Sequence, residues 1–174
     1  MPKKDLLILG AGGFGLAVAE AAELTGQWDE IVFADDRWPE IQQVGAYKIV
    51  SNIANLQHLA SSNLRAIVAV GNNSLRQTWQ SLLRELGIIT VSIIHPRAVV
   101  SPTAQIGQGV SIMAGCVIGT NNIIKEGVIL NIGTLLDHNV IIEAFSHLSV
   151  GVKVAGGKRI VQNSFLEVGT CIPH

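Results

Sequence analysis

From Ile94 to Ile172 every sixth residue is isoleucine, leucine or valine, at positions 94, 100, 106, 112, 118, 124, 130, 136, 142, 148, 154, 160, 166 and 172. With 48% of the chain apolar, an unbroken run of this length arises by chance with odds on the order of 10⁻⁵ per phase, so a structural repeat is the better account. Neither a helix, with its period of 3.6, nor a simple strand, with its period of 2, generates a period of six.

Four residues after each of these positions the side chain is mostly small or β-branched: Ala98, Ala104, Val110, Cys116, Val128, Thr134, Val140, Ser146, Val152, Ser164 and Thr170. Asn122 and Lys158 interrupt this second column. One aliphatic and one smaller inward residue per hexapeptide describe one face of a three-sided solenoid, in which 18 residues complete a coil and coils stack at about 4.8 Å. From Cys116 to Cys171 the chain runs three full coils and one residue more. That separation is about 14 Å along the stack, beyond the roughly 7 Å Cα spacing a disulfide tolerates. Both cysteines are expected as free thiols.

The first 94 residues have a different pattern. Leu6–Leu9 reads as a buried strand, followed by Gly10-Ala11-Gly12-Gly13-Phe14-Gly15 and an Ala-rich helix from Leu16 to Leu24 that Gly26 can end. Glu30–Ala34 is a second strand closing on Asp35-Asp36. A turn around Gly45 precedes Ser51, read as the N-cap of a helix to about Ala60. Ala66–Val70 is a third strand, Asn73 or Ser74 caps a helix to Leu86, and Ile88–Ile94 is a fourth strand. Alternating strands and helices predict a parallel sheet with helices packed on it, about half the size of a full dinucleotide-binding fold. The domains are therefore drawn as 1–94, a Rossmann-like α/β unit, and 95–174, a parallel β-helix. G-x-G-x-x-G between a strand and a helix lets the backbone approach a diphosphate at a helix N-terminus, and Asp35 sits where an acidic residue commonly meets a ribose. Without a second βαβ half to hold a nicotinamide, a nucleotide attached to a sugar fits better than NAD.

Lys+Arg 12 against Asp+Glu 13 gives a net charge of −1, which argues against a polyanion groove or a basic membrane patch. No apolar run reaches the 18 or so residues of a membrane span. The apolar stretch after Met1-Pro2-Lys3-Lys4-Asp5 is too short for a secretion signal. A reducing cytoplasm is the expected location.

Of the five histidines, His58 reads as a surface residue, His95 as structural beside Pro96, and His174 is the last residue. His138 and His147 fall off the inward columns of the solenoid, and histidine is the side chain best suited to proton transfer near neutral pH. On an 18-residue coil Asn131 stacks over Ser149, so Asn131 and His147 share one side. His138, half a coil from His147, points elsewhere. A site using both needs solenoids packed side by side. Apolar residues outside the repeat columns (Val99, Ile123, Ile129, Ile132, Leu135, Ile141) supply a partner surface, and a cyclic trimer suits a three-sided prism.

The GAGGFG start, Val70-Gly71-Asn72 with Arg76, Ile94-His95-Pro96-Arg97-Ala98, and Asn131, His138 and Phe145–Gly151 together resemble the NeuD-type sugar O-acyltransferases. That family includes nucleotide-sugar 4-amino N-acetyltransferases of bacterial surface-glycan biosynthesis. The resemblance implies a left-handed β-helix, a homotrimer, acetyl-CoA as co-substrate in grooves between solenoids, no metal, and a nucleotide-sugar acceptor. It makes His138 the general base for attack of the 4-amino group on the thioester, and Asn131 and His147 substrate contacts. Gly12, Gly13 and Phe14 correspond to the loop along the diphosphate, and Asp35 and Asp36 to nucleoside contacts.

The chain departs from the family pattern at three places. Phe14 stands where histidine is frequent, removing a donor to phosphate or sugar. Asn139 stands where Asp or Glu commonly follows the base. An amide can fix the imidazole tautomer without stabilising imidazolium by charge, and Asp137 or Glu143 are the carboxylates able to substitute. Family members usually continue for another coil and a closing loop, so an end at Ile172-Pro173-His174 reads as truncated. The competing readings are O-acetylation of a sialic-acid-type sugar, a non-catalytic homologue, and a zinc hydratase. The last is disfavoured because its histidines usually stand five apart, whereas these stand nine apart.

Overall fold

The computed structural model describes residues 4–174; the first three, part of the segment read as too short for a secretion signal, lie outside it. Two compact units divide between Val91 and Ser92.

The N-terminal unit is built on β1 (Lys4–Leu9), α1 (Gly13–Leu24), β2 (Trp28–Ala34), β3 (Gln43–Val44), β4 (Tyr47–Ser51), a 3₁₀ turn (Ile53–His58), β5 (Leu64–Val68), α2 (Asn73–Glu85) and β6 (Ile89–Thr90). The strand order is β3-β4-β2-β1-β5-β6, with all pairs parallel except the β3–β4 hairpin. Leu6 to Leu9 are fully buried, as a central parallel strand covered on both faces requires. The hairpin around Gly45, read from sequence as a turn alone, adds two strands to the predicted four. The cap before the 3₁₀ turn is Asn52, whose side chain accepts from Asn55 N–H, not Ser51, and the turn ends at His58. Likewise Asn72 caps α2 by accepting from Leu75 N–H at 2.9 Å. Asparagine competes well with serine as a cap; the first cap moves one residue from Ser51, and the second one residue from Asn73 or two from Ser74.

The chain reverses direction on the sheet at β1: β2 lies on one side and β5 on the other. The glycine loop after β1 and the Val70-Gly71 segment after β5 therefore flank the switch point at the carboxyl edge, the usual ligand position in open α/β sheets. Close packing explains two glycines there. A Cβ on Gly15 would lie 1.9 Å from the Gly10 carbonyl oxygen, and one on Gly10 would lie 2.6 Å from Val70. Arg76 is fully buried beneath this edge, its guanidinium donating to the Val70 and Gly71 carbonyls at 2.9 and 3.3 Å and to Asn73 Oδ1 at 2.8 Å. Burial lowers its pKa to about 10.

The predicted fourth strand, Ile88–Ile94, is two strands. β6 joins the sheet, and Ile93–Ile94 forms β7 at the start of the solenoid. Thr90 and Ser92 are the polar residues in this stretch, and the two units divide between them. From there fourteen two-residue strands, β7 to β20, each hold one repeat aliphatic and the residue before it. Thus β13 is Ile129–Leu130, β14 Leu135–Leu136, β16 His147–Leu148, β17 Lys153–Val154 and β20 Cys171–Ile172. They form three parallel sheets, β7-β10-β13-β16-β19, β8-β11-β14-β17-β20 and β9-β12-β15-β18. Paired strands are one full coil apart along the chain, so Leu130 meets Leu148 and Leu136 meets Val154. The aliphatics and the smaller column meet inside as one core, Ile112, Cys116, Leu130 and Leu148 among them.

Asn122 interrupts the small column for a hydrogen-bonding reason: it is fully buried and its Oδ1 accepts from Val140 N–H of the next coil at 2.7 Å. Every turn from Gly109 to Gly169 places the third residue after its aliphatic at positive φ, supplied by Gly or Asn except at Phe145 (φ 58°). At the solenoid entry, where Arg97 has no such conformation, His95 Nδ1 accepts from Arg97 N–H at 3.0 Å, the structural role expected of it.

Candidate active site

His138 lies on the turn that carries the chain from β14 to the next face of the prism. Its backbone is pinned from both neighbouring coils: Gly157 N–H donates to the His138 carbonyl and Asn139 N–H to the Thr120 carbonyl, each at 2.9 Å. The imidazole is exposed. Asn139, at φ 56°, places Nδ2 2.9 Å from His138 Nδ1, and a carboxylate oxygen of Asp137 lies 3.9 Å from Nε2. Both members of that last pair are more than half exposed, so their attraction is weak. Glu143, the other carboxylate considered from sequence, is taken up elsewhere, between Lys125 and Arg159.

A groove of about 570 Å³ runs along the outer face of β11 (Val117–Ile118), β14, β17 and β20, reaching the residue beside His138. Val117, Leu135, Lys153, Ala155, Cys171 and Pro173 line it, with Gly119 and Asp137 at its edge. The lining is mainly aliphatic, with the Lys153 ammonium and the Asp137 carboxylate as its charged groups, and suits a long chain. Val99 (64% exposed), Val117 (42%) and Leu135 (38%) form an uncovered apolar file on this face. Ile132, Val150 and Val168, stacked on the adjoining corner, are also exposed.

Asn131 follows β13 at that corner, level with Ser149, while His147 stands in β16 between Ile129 and Phe165. The two share a side of the prism, and His138 lies on another corner, as the length of the coil requires. Asn131 is half-buried, with Oδ1 accepting from Ile132 N–H at 2.8 Å. The buried Cys116 thiol donates to its carbonyl from one coil below. His147 is buried, edge-on to Phe165 with ring centroids 4.9 Å apart.

In the N-terminal unit Gly12 caps α1 with no side-chain bond, and Gly12 and Gly13 are exposed with open space where a Cβ would stand. Phe14 is half-buried at the start of the helix. Asp35 is buried, and both its oxygens are engaged: Oδ2 accepts from Ala11 N–H at 2.7 Å, and Oδ1 from Arg37 N–H at 3.1 Å and Arg37 Nε at 2.7 Å. Arg37 Nη2 also donates to the Ala11 carbonyl at 2.9 Å. The Arg37 guanidinium, partly offset by burial and reinforced by the Ala11 amide, lowers the Asp35 carboxyl to about 2. Asp35 thus braces the glycine loop. Asp36 is exposed, with Oδ1 accepting from Ile53 N–H at 3.3 Å. Arg37 was missed from sequence, although its place two residues after Asp35 is the spacing at which an Asx side chain meets backbone.

Among the described residues no three His, Cys, Asp or Glu side chains gather as a metal-holding group, and no helix is long and apolar enough to cross a membrane.

A Rossmann-like α/β unit followed by a left-handed parallel β-helix is the architecture of the hexapeptide-repeat acetyltransferases. Residues 5–83 match the family described as the PglD N-terminal domain. The acetyltransferase domain of PglB from Neisseria gonorrhoeae FA1090, solved with acetyl coenzyme A, is 37% identical with a TM-score of 0.93, over 98% of this chain and 82% of that one. Perosamine N-acetyltransferase from Caulobacter crescentus, solved with CoA and GDP-perosamine, is 27% identical with a TM-score of 0.81, over 97% of this chain and 88% of the other. UDP-N-acetylbacillosamine N-acetyltransferase of Bacillus subtilis (strain 168) is 30% identical over 119 residues, 64% of this chain; the match spans about half, 52%, of that relative's length. The chain belongs to the PglD/NeuD-type sugar acetyltransferase family.

Proposed function

We propose that the protein transfers the acetyl group of acetyl-CoA to an amino group of a nucleotide-activated sugar, in the cytoplasm where both substrates are made, for bacterial surface-glycan biosynthesis. The observation that carries this reading is the His138 turn: a solvent-facing imidazole on a rigid corner beside a long aliphatic groove.

The chemistry follows from the residues. The groove takes the aliphatic arm of the donor, with Lys153 near its anionic groups. The amine nitrogen of the sugar attacks the thioester carbon while His138 Nε2 takes the proton that nitrogen releases. The C–S bond then breaks, the thiolate leaves, and the imidazolium returns the proton to it, giving an amide and free CoA. For Nε2 to be free, Asn139 must turn Oδ1 toward the ring and accept from Nδ1–H. In the N-terminal unit the open glycines and the N-terminus of α1 receive the diphosphate, with Asp36 toward the nucleoside and Asp35 holding the loop through Arg37. Asn131 and His147 contact substrate from another copy: the apolar file Val99–Val117–Leu135 and the corner Ile132–Val150–Val168 favour a cyclic homotrimer, in which His138 of one chain faces Asn131 and His147 of the next.

The test is turnover of UDP- and GDP-linked 4-amino sugars with acetyl-CoA, read as thiol release and product mass. The expected result is an amide product and a His138→Ala variant with kcat lowered by about 10²–10⁴, the usual loss for a general base, at unchanged oligomeric mass. An ester product would mark O-acetylation. No turnover, with no thermal shift by acetyl-CoA, would mark a non-catalytic homologue, and an unaffected His138→Ala would remove the base.

A further inference from the structure

Fourteen residues lie two places past an inward aliphatic, and they include Pro, Gln, Ala, Thr, Glu, Ile, His and Val; Gly156 is the one glycine among them. The backbone does not require it. Gly156 is outside the positive-φ region, which its neighbour Gly157 occupies at 72°. What a side chain at 156 would meet first is the His138 ring, with no backbone atom closer. A Cβ on Gly156 would lie 2.7 Å from both Cε1 and Nε2 of His138 and 3.1 Å from Cδ2, well inside van der Waals contact.

The relation follows from the coil. Gly156 comes one full coil after His138, directly above it in the stack, and the imidazole lies across the bare Cα. A second glycine completes the arrangement from beneath. Gly119 comes one full coil before Asp137, and a Cβ there would lie 2.9 Å from the Leu136 carbonyl oxygen and 3.0 Å from the Asp137 carbonyl carbon. The backbone of the turn is held by Asp137 N–H to Val154 O at 3.0 Å and Gly157 N–H to His138 O at 2.9 Å. A methyl group at 156 can therefore displace only the ring.

We propose that Gly156 is a positioning residue for His138: by lacking a side chain it forms the seat that fixes where the imidazole edge bearing Nε2 stands beside the groove. The inference rests, for its kinetic part, on His138 being the base. Positioning is worth much in such a site, since an error of about 1 Å in a reacting group can cost 10²-fold in rate.

The experiment uses the full chain with Gly156→Ala and Gly156→Ser beside His138→Ala. The His138 Cε1–H resonance, assigned by its loss in His138→Ala, reads the ring directly and without substrate. Expected are a shifted His138 resonance in both Gly156 variants and unchanged oligomeric mass. The thermal midpoint should be equal or slightly raised, because replacing glycine in an ordinary conformation restricts the unfolded chain. The variants should lower kcat about 10- to 100-fold with the acetyl-CoA KM unchanged. An unmoved resonance overturns the proposal, as does a raised acetyl-CoA KM with kcat intact, which would mean that Gly156 serves the donor. Loss of activity in His138→Ala with none in Gly156→Ala would sink the seat and leave the base standing. An active His138→Ala would sink the base, and the resonance would still decide the seat.

Discussion

The side-chain amide of Asn139 directs Nδ2 at Nδ1 of His138 across 2.9 Å. In that orientation the amide donates to the ring and leaves the proton on Nε2, the atom that must be unprotonated in a base. Half a turn about Cβ–Cγ presents Oδ1 instead, which accepts from Nδ1–H and frees the Nε2 lone pair. The tautomer is thus set by which end of the amide faces the ring.

Asn139→Asp removes the unproductive choice, because an ionised carboxylate only accepts, and aspartate tolerates the positive φ of 56°. Acetyl transfer should rise about tenfold or more in kcat, a fraction of the 10⁴ by which loss of the orienting carboxylate slows a catalytic triad. Steady-state kinetics on the two proteins checks this, and equal kcat values would show that the tautomer does not limit the reaction.

Asp35 carries a stability that depends on pH. Its carboxyl ionises at about 2 in the fold against an ordinary 3.8. The native state therefore favours the anion, and the contribution is complete above about pH 4 and fades as pH falls toward 2. Asp35→Asn should cost about 1–2 kcal/mol at pH 7, less than the full shift because Arg37 is half exposed. The deficit should shrink toward zero in acid. All three tryptophans, Trp28, Trp38 and Trp79, lie in this unit, so urea unfolding followed by tryptophan fluorescence reports it alone.

The two thiols should separate by reactivity. Cys116 is buried, and burial pushes its thiol pKa up, whereas Cys171 is exposed. A disulfide reagent should titrate one equivalent promptly and the second only on unfolding. Protection of the fast thiol by acetyl-CoA would mark the groove that Cys171 lines.

Phe145 sets two effects against each other. Its φ of 58° costs a non-glycine residue roughly 1–2 kcal/mol, while truncating a buried Phe costs about 3–5 kcal/mol. At 4% exposure burial wins, and Phe145→Gly should destabilise the solenoid by about 2–3 kcal/mol. Far-UV circular dichroism during denaturation reads this, and a stabilised variant would mean that strain outweighs burial.

Much of the molecule is legible in the order of its residues because its elements are local or strictly periodic. A period of six fixes the coil length, and the coil length places Asn131 and His147 on one side with His138 on another. The strand–glycine–helix opening places the phosphate-type loop. What a linear pattern cannot supply is contact between side chains distant along the chain. Nothing around Asp35 states that one of its oxygens is consumed by the amide of Ala11, far back along the chain, and Thr90 and Ser92 alone do not say at which of them the sheet releases the chain.

Residue order alone is enough for the two-part architecture, the three interior columns and the file of residues from which a site is drawn, since periodic burial and glycine-dependent turns act over a few residues. Which atoms meet is settled by the folded chain. Stacking coils about 5 Å apart brings Gly156 against the His138 ring and Asn122 against the Val140 amide. At such distances one methyl group or one amide orientation decides where a side-chain ring or its proton stands.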